Sequence, residues 1–279
     1  MSRSHKQERI NVWRPEELPG VEVRSGVAVR EPYPRHWHEE YQLCFIQAGG
    51  GELVYRGRRH DTPRATLFVV HPGEVHANQT ETGCSFCSVY LAPELVRASL
   101  EGRAEPSGPL PFFPDPVIFD RETTTRYRAL QHALEAPSAT LKRETLMLEL
   151  LNRLVERHAE ARPRSFAAGR ERAAVGRVRE YLVEHHARNV SLGELARVAN
   201  LSPFHLTRVF AREVGMPPHS FQTQVRVARA KRLIRRGLPL AGVAAAAGFA
   251  DQSHFIRQFK RLMKITPGDY LKNSKNVQY

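Results

Sequence analysis

The sequence predicts an α+β protein of more than one domain: an N-terminal antiparallel β-barrel, a helical linker and an all-α C-terminal domain with two helix-turn-helix units. Three observations support this fold class. Short apolar segments follow one another from Gly20 to about Ala92. Helical periodicity then replaces them. A pattern of two short helices around a tight turn occurs twice after Ser191, and 279 residues are long enough for two ordinary domains.

The N-terminal strands are predicted from segments rich in Val, Phe, Tyr and Leu that are separated by Gly or Pro turns. Five such segments are GVAVR, YQLCFIQ, GELVYRG, ATLFVVHPG and CSFCSVYL, which begin at Gly26, Tyr41, Gly51, Ala65 and Cys84. Because their spacing is short and regular, an antiparallel barrel or sandwich is favoured.

A helical region follows a Pro-rich stretch at 105–117. We predict a helix over 141–158, with Leu146, Leu150, Leu151, Leu154 and Val155 on one stripe. Periodicity does not distinguish packing of this stripe on the barrel from pairing with its copy in a homodimer. Arg162–Arg170 is predicted to be an interdomain linker. The expected division is therefore 1–115 for the barrel, 116–170 for the helical linker and 171–279 for the C-terminal domain.

The first helix-turn-helix unit begins at Ser191, an N-cap with Glu194 three residues later, as in a capping box. Its first helix is expected to bury Leu192, Leu195, Ala196 and Ala199. Asn200 and Leu201 form the turn, and Ser202-Pro203 supply the cap and first residue of the second helix. That helix is expected to bury Leu206, Val209 and Phe210 and to end at Gly215.

The second unit repeats this plan in AAAAGFADQSHFIRQFKR, 244–261. Leu240, Val243, Ala244 and Ala247 mark its first helix, and Gly248-Phe249 form its turn. Asp251 caps a second helix that buries Phe255 and Phe259. The small alanines allow the two helices to cross closely.

Basic residues are concentrated in the C-terminal part of the chain. Residues 1–163 hold 21 Lys and Arg against 22 Asp and Glu, a net of −1, whereas 164–279 hold 21 against 7, a net of +14. Such a domain suits a polyanion. A helix over 221–236, roughly 25 Å long at ~1.5 Å per residue, could hold the units near adjacent major grooves, which lie roughly 34 Å apart. Its basic residues are expected to contact phosphates: Arg226, Arg229, Lys231, Arg232, Arg235 and Arg236.

Other classes of protein find little support in the sequence. The N-terminus lacks an apolar signal region, and no uninterrupted apolar run of about 18 residues occurs, so a cytoplasmic protein that does not span a membrane is expected. Three cysteines, Cys44, Cys84 and Cys87, make a disulfide framework improbable in such a compartment. A single C-x-x-C is a weak zinc signal, and thiols inside a strand are the favoured interpretation.

The region from about Val175 to Leu271 resembles the DNA-binding domain of AraC/XylS-type transcription regulators. The resemblance rests on ELARVANLSPFHLTRVF, on R-x-x-x-A-K-R-L-I at 226–234, and on VAAAAGFADQSHFIRQFKR followed by TPGDY. Two departures stand out: Lys264 replaces a usual Gly, which should cost that helix end about 1 kcal/mol, and Leu271 replaces a customary Arg.

The resemblance implies sequence-specific binding to double-stranded DNA, regulation of transcription, and activation through contact with RNA polymerase. On the two recognition helices, polar and basic side chains can bond to base edges and neutralise phosphates. The residues expected to contact DNA are Ser202, His205, Thr207, Arg208 and Arg212 in the first unit, and Gln252, Ser253, Arg257, Lys260 and Arg261 in the second.

The segments RHWHEEYQLCFIQAGGGELVYRG and FVVHPGEVHAN resemble the two motifs of the cupin barrel, the sensor domain expected in this family. The resemblance implies a small-molecule effector site formed by His36, His38, Gln42, His76 and Asn78. In metal cupins the matching positions would be His36, His38, Gln42 and His76, but Gln42 stands where a carboxylate is usual. We therefore expect no metal, no cofactor and no catalysis. The alternative is a metal-dependent cupin enzyme with a DNA-binding appendage.

Overall fold

A computed structural model describes residues 8–98, 110–136, 140–160 and 170–275. The predicted linker 162–170 therefore lies outside the described residues except for its last position, as does the start of the Pro-rich stretch. The chain separates into two compact units, one formed mainly by the barrel and the two long helices after it, the other mainly by residues after 164.

The described part of the chain before residue 164 contains nine strands and three helices; all of it belongs to the first unit except residues 34–37, which are grouped with the second. The strands are β1 Arg9–Trp13, β2 Val21–Val29, β3 Tyr33–His36, β4 Tyr41–Tyr55, β5 Arg58–Pro63, β6 Leu67–Val70, β7 His76–Gln79, β8 Cys84–Leu91 and β9 Val117–Ile118; the helices are α1 Pro93–Ala98, α2 Arg121–Glu135 and α3 Thr140–His158. The main sheet has the antiparallel strand order β1-β2-β8-β4-β6-β9. Strands β5 and β7 pair antiparallel with the second half of β4, and β3 pairs with β7. The antiparallel barrel expected from the sequence is confirmed.

Strand β4 corrects one expectation, because it joins two segments that were predicted to be separate strands. The strand continues through glycines 49–51. Gly49 has φ +70°, and a Cβ there would lie 2.1 Å from the carbonyl oxygen of Gly83. A register shift between Ile46 and Ala48 marks a bulge. The glycines therefore allow β4 to pair with different neighbours along its two halves.

The two faces of the sheet bury different sets of side chains. On β4, Leu43 and Phe45 belong to a cluster that includes Tyr127 of α2 and Leu150 of α3. Cys44 and Ile46, which alternate with Leu43 and Phe45 along the strand, belong to a second cluster made of strand residues, including Val117 of β9. This alternation follows from the two-residue period of a strand. The first cluster is therefore the face covered by helices, and the second is the interior of the barrel.

The stripe on α3 packs on the barrel. Leu150, Leu151 and Leu154 are buried in the cluster beneath the helices, and Leu146 and Val155 pack against it. The alternative in which this same stripe pairs with its copy is therefore wrong, since its apolar surface is already covered within the chain.

The thiols of the C-x-x-C segment lie on β8 and face opposite sides of it. Cys87 belongs to the cluster beneath the helices, whereas Cys84 packs against the interior cluster. All three cysteines are free, and burial raises the pKa of the Cys87 thiol to about 12. The interpretation of these thiols as strand residues is confirmed.

The junction between α2 and α3 depends on Asp120, the N-cap of α2. Its carboxylate accepts hydrogen bonds from the backbone N–H of Glu122 at 2.9 Å and the hydroxyl of Thr123 at 2.7 Å, and it pairs with Arg153 at 2.9 Å. Burial acts to raise its pKa, but these hydrogen bonds together hold it well below the usual value.

We expect Asp120→Asn to lower the free energy of unfolding by about 1 to 3 kcal/mol at neutral pH, because Asn retains the cap but loses the charge. Since the folded-state pKa of Asp120 is depressed, the difference should be present above the ordinary carboxyl pKa and should shrink as the pH falls below about 4. Urea unfolding of both proteins across this range measures it. The exposed Asp115→Asn is the control; a difference that persists unchanged at low pH would contradict the assignment.

The second unit contains seven helices among its described residues: α4 Arg170–Glu184, α5 Leu192–Ala199, α6 Pro203–Val214, α7 Pro218–Arg235, α8 Leu240–Ala246, α9 Gln252–Met263 and α10 Pro267–Lys275. Helices α5 and α6 form the first helix-turn-helix unit, and α8 and α9 form the second. Helix α7 contacts α6, α8 and α9, and α4 packs on α5, α6 and α7. The all-α domain with two such units is confirmed.

Local signals in the sequence locate these helices well. Ser191, Ser202 and Asp251 each accept a hydrogen bond from the backbone N–H three residues later. Asn200, Gly215 and Lys264 end their helices in the left-handed conformation. Leu192 was expected to be buried but is 44% exposed, because Leu195, Ala196 and Ala199 already form the buried stripe of this short helix.

Candidate functional site

The first recognition helix, α6, is anchored by its apolar side. Leu206, Val209 and Phe210 are fully buried, which fixes the rotation of the helix about its axis. The opposite side carries the predicted DNA contacts. Ser202, Arg208 and Arg212 are exposed there, while His205 and Thr207 are half-buried; the Thr207 hydroxyl donates to the carbonyl oxygen of Pro203 at 2.9 Å.

Two of these predicted contacts are held by a carboxylate of α4. Glu171 pairs with Nε2 of His205 at 2.8 Å and with the guanidinium of Arg212 at 2.6 Å. Arg212 also pairs with Glu213 at 3.1 Å. Hydrogen bonds from Arg212 and then His205 lower the pKa of Glu171. In this arrangement the carboxylate of Glu171 binds the ring nitrogen of His205 and the guanidinium of Arg212, two donors that could otherwise contact a DNA phosphate.

We expect Glu171→Gln to strengthen DNA binding by roughly 2- to 5-fold, the range set by exposed ion pairs, because His205 and Arg212 are released from a competing anion. Fluorescence anisotropy of a labelled duplex against full-length protein measures the change. Glu180→Gln removes the same charge from an exposed position of the same helix and is the control. Equal gains in both variants would show that only the net charge matters.

Phe204 of α6 is a further candidate DNA contact that was not predicted from the sequence. Its side chain is 80% exposed at the start of the recognition helix, next to the cap Ser202. An aromatic ring in this position can contact a thymine methyl group. Helical periodicity could have indicated its exposure, since Phe204 falls outside the apolar stripe formed by Leu206, Val209 and Phe210.

The second recognition helix, α9, buries Phe255, Phe259, Leu262 and Met263. All five of its predicted DNA contacts are exposed: Gln252, Ser253, Arg257, Lys260 and Arg261. Ile256, 38% exposed, lies among them. The face therefore combines amides and hydroxyls that can bond to base edges with cations that can bind phosphates.

Helix α7 differs from the expectation that all its basic side chains contact phosphate. The guanidinium of Arg226 donates to the carbonyl oxygens of His186 at 2.8 Å and Arg188 at 3.1 Å, and Lys231 is buried. These two residues serve the packing of the unit. Arg235 and Arg236, at the end of the helix, are exposed and remain suited to phosphate contact.

The predicted effector residues in the first unit are brought together only in part. Nε2 of His38 lies 3.1 Å from Oε1 of Gln42, whose amide nitrogen donates to the Ser88 hydroxyl at 3.0 Å. The rings of His38 and His76 are 4.9 Å apart, and both side chains are buried. His36 belongs to the second unit, where it is half-buried with Nδ1 2.8 Å from the carbonyl oxygen of Pro34. Asn78 is half-buried on β7 of the first unit.

Four further polar residues missed by the sequence reasoning face the same interior. Arg24 and Glu22 lie on β2, and Ser88 and Tyr90 on β8; all four are buried. Arg24 is paired in register with Ser88, lies 5.0 Å from the centre of the Tyr90 ring, and contacts Glu22 at 3.4 Å. The two-residue period of a strand could have indicated that Glu22 and Arg24 share one face, since they alternate with Val21 and Val23.

The interior site is therefore a buried polar cluster beside an apolar one. Burial raises the pKa of Tyr90 to about 12 although Arg24 acts in the opposite direction, so the phenol stays neutral. The phenol, hydroxyl, amide and imidazole groups can orient a polar ligand by hydrogen bonds, and the buried guanidinium can pair with an anion.

Metal binding finds no matching geometry in the part of the chain that is described. No group of three or more His, Cys, Asp or Glu side chains is arranged there to hold a metal ion. His38 and His76 come together, but Gln42 occupies the position beside them.

None of the described helices has the length and apolar character needed to cross a membrane.

A barrel with a polar interior, combined with a basic domain that carries two helix-turn-helix units, defines a ligand-responsive DNA-binding regulator. Two family models match the chain: the AraC-like ligand binding domain over residues 18–151 and the helix-turn-helix domain over residues 195–273. The chain belongs to the AraC family of transcription regulators.

Similar proteins agree with this assignment. YbfI of Bacillus subtilis, an uncharacterized HTH-type transcriptional regulator, is 28% identical over 236 residues, which cover 84% of this chain and 85% of that protein. The transcriptional activator RhaS of Pectobacterium carotovorum is 23% identical over 257 residues, 88% of this chain and 91% of its own. The crystal structure of apo ToxT from Vibrio cholerae covers 92% of this chain and 99% of its own with a TM-score of 0.59; at 12% identity this likeness shows the fold alone.

Proposed function

We propose that the protein is a transcription activator that reads two short DNA elements with α6 and α9 and responds to a small polar or anionic effector inside the barrel. The observation that carries the proposal is the pair of recognition helices, each with a buried apolar side and an exposed polar and basic side. In this function 1–115 senses the effector, 116–170 transmits its binding, and 171–279 binds DNA.

DNA readout is assigned by exposure and chemistry. Arg208 and Phe204 in α6, and Gln252, Ser253 and Arg257 in α9, are the proposed base contacts, since each is exposed and can bond to a base edge or touch a methyl group. Five other members of the predicted set are proposed to position the helices on phosphates: Ser202, His205, Arg212, Lys260 and Arg261. The Thr207 hydroxyl instead donates to the carbonyl oxygen of Pro203.

The effector site is assigned to His38, Gln42, His76, Ser88 and Arg24, with Asn78 at its margin. An effector can change transcription only by preferring one arrangement of the protein over another, so ligand contacts inside the barrel must differ between two states. An effector with a carboxylate or several hydroxyls matches the buried guanidinium and the neutral hydrogen-bonding groups.

The effector assignment is tested by the unfolding temperature of the full-length protein with a panel of small sugars and organic acids. A compound that raises this temperature is then compared on His38→Gln and on His71→Gln, a matched change at a second buried histidine that instead accepts from the backbone N–H of Phe113. We expect the shift to be lost in His38→Gln and kept in His71→Gln. Loss in both or in neither would contradict the interior site.

Activation is supported by the relative RhaS, which is a transcriptional activator. We propose RNA polymerase as the further partner, the cytoplasm as the compartment because the target is DNA, and no enzymatic activity, metal or cofactor. A reporter gene downstream of the selected operator should rise in expression when the protein and its effector are present. A fall in expression would identify a repressor.

A homodimer is proposed from the outer side of α3. Leu141 and Leu148 are 73% and 44% exposed and lie seven residues apart, on one face of the helix. We expect Leu148→Glu to shift the sedimentation equilibrium towards the monomer. An unchanged molar mass would remove this face from consideration.

A further inference from the structure

A cavity of about 300 Å³ lies against α2, on the face of β4 opposite the polar interior. Phe45 of β4, which is buried, lines the cavity together with the turn between β5 and β6 and one side of α2. Phe45 and Gln42 are three positions apart on a strand, so their side chains point to opposite faces. The cavity is therefore separate from the proposed effector site.

The charges around this cavity favour an anion. Two guanidinium groups, those of Arg64 and Arg128, line it against a single carboxylate, Glu135, which accepts a hydrogen bond from the amide of Gln131 at 2.8 Å. Within the described part of the chain, neither Arg64 nor Arg128 forms an ion pair with a carboxylate. The guanidinium of Arg128 instead lies over the ring of Phe45, 5.9 Å from its centre.

Arg64 is presented by a fixed turn. The next residue, Ala65, has φ 68°, a conformation that a residue with a side chain seldom adopts. Its backbone N–H donates to the carbonyl oxygen of Ile46 at 2.8 Å, and the N–H of Ile46 donates to Thr66 at 2.9 Å. These bonds hold the strained turn against β4, and backbone strain of this kind is concentrated at ligand sites.

We propose that this cavity is a second ligand site, which binds a small organic anion with a flat apolar body. The apolar body packs on Phe45, and the anionic group lies between the guanidinium groups of Arg64 and Arg128, which can each donate charge-assisted hydrogen bonds. A ligand here joins α2 to β4 and to the β5–β6 turn. Binding therefore favours the state in which α2 is docked on the sheet, independently of the interior site.

The test is isothermal titration calorimetry of the full-length protein with phenylacetate, and with phenylacetamide as its uncharged counterpart of nearly the same shape. We expect saturable binding of phenylacetate and at least about tenfold weaker binding of the amide, since hydrogen bonds to charged groups are the stronger ones. Arg64→Gln and Arg128→Gln should each weaken phenylacetate binding by about tenfold. Both positions are exposed, so neither change is expected to prevent folding.

Arg121→Gln, an exposed position on the same helix but outside the cavity, is the matched control and should bind phenylacetate like the original protein. Absence of saturable binding, equal binding of the amide, or equal affinity in the two cavity variants and the control overturns the proposal. Loss of binding in His38→Gln alone also overturns it, because the ligand then occupies the barrel interior. DNA binding measured on the same variants shows separately whether the regulator function is intact.

Discussion

Replacing Gly248 by alanine is expected to destabilise the C-terminal unit by about 3 kcal/mol and to abolish specific DNA binding. Gly248 has φ +85°, which costs a residue with a side chain about 1 to 2 kcal/mol. An added Cβ would also lie 2.4 Å from the Cα of Ala187 and 2.9 Å from two carbonyl oxygens, so backbone must move, at a cost of about 1 to 3 kcal/mol. Because Gly248 lies in the turn between α8 and α9, the shift displaces the second recognition helix.

Two other glycines of the C-terminal unit distinguish the effect of the left-handed backbone from that of the close approach to Ala187. Gly237 also has a left-handed backbone, at φ +81°, but an added Cβ would meet nothing within 4 Å, so Gly237→Ala should cost only about 1 kcal/mol. Gly242 lies within α8 with only Leu238 at 3.9 Å, and Gly242→Ala should raise stability by about 0.5 to 1 kcal/mol. Urea unfolding ranks the three variants. Equal losses for Gly248→Ala and Gly237→Ala would show that the close approach to Ala187 is not what requires glycine.

Removing the guanidinium from either recognition helix is expected to relax sequence preference at one position of the operator. Arg208 and Arg257 are both exposed on the polar sides of their helices, and each should contribute about 1 to 3 kcal/mol of discrimination if it contacts a base. Because the helices belong to separate units, Arg208→Ala and Arg257→Ala should affect two different elements of the site, and the double variant should approach the sum of the single losses.

The control for base readout is Arg235→Ala at the exposed end of α7. This change should weaken binding about equally for all sequences and reduce the salt dependence by about one charge. Selection of duplexes from a random pool with each variant measures both effects. If Arg208→Ala and Arg257→Ala leave every position of the preferred sequence unchanged, these side chains contact phosphate and the base assignments are wrong.

The sequence predicted the C-terminal fold closely because its signals are local. Ser191, Ser202 and Asp251 cap helices, and Gly215 and Gly248 end or turn them, each within four residues of its partner. The barrel depends on pairings far apart in the chain. The close approach of the Gly83 carbonyl oxygen to Gly49, for instance, excludes a side chain at position 49, and no local pattern indicates that contact.

The candidate sites were predictable to different degrees for the same reason. Exposure of Gln252, Ser253 and Arg257 follows from helical periodicity alone. The attachment of His205 to Glu171 does not, since 34 residues separate them. Inside the barrel, motif positions located His38 and Gln42, whereas Arg24 and Ser88 join them through the register of β2 with β8.

The most direct test of the regulator function is selection of bound duplexes from a random DNA pool by the full-length protein, at near-physiological salt so that nonspecific phosphate binding is suppressed. Two recognition helices held by α7 predict an enriched motif of two short elements about one helical turn apart, roughly 10 base pairs. Retention of DNA without any enriched motif would contradict the account, because the +14 charge after residue 163 would then bind DNA by charge alone.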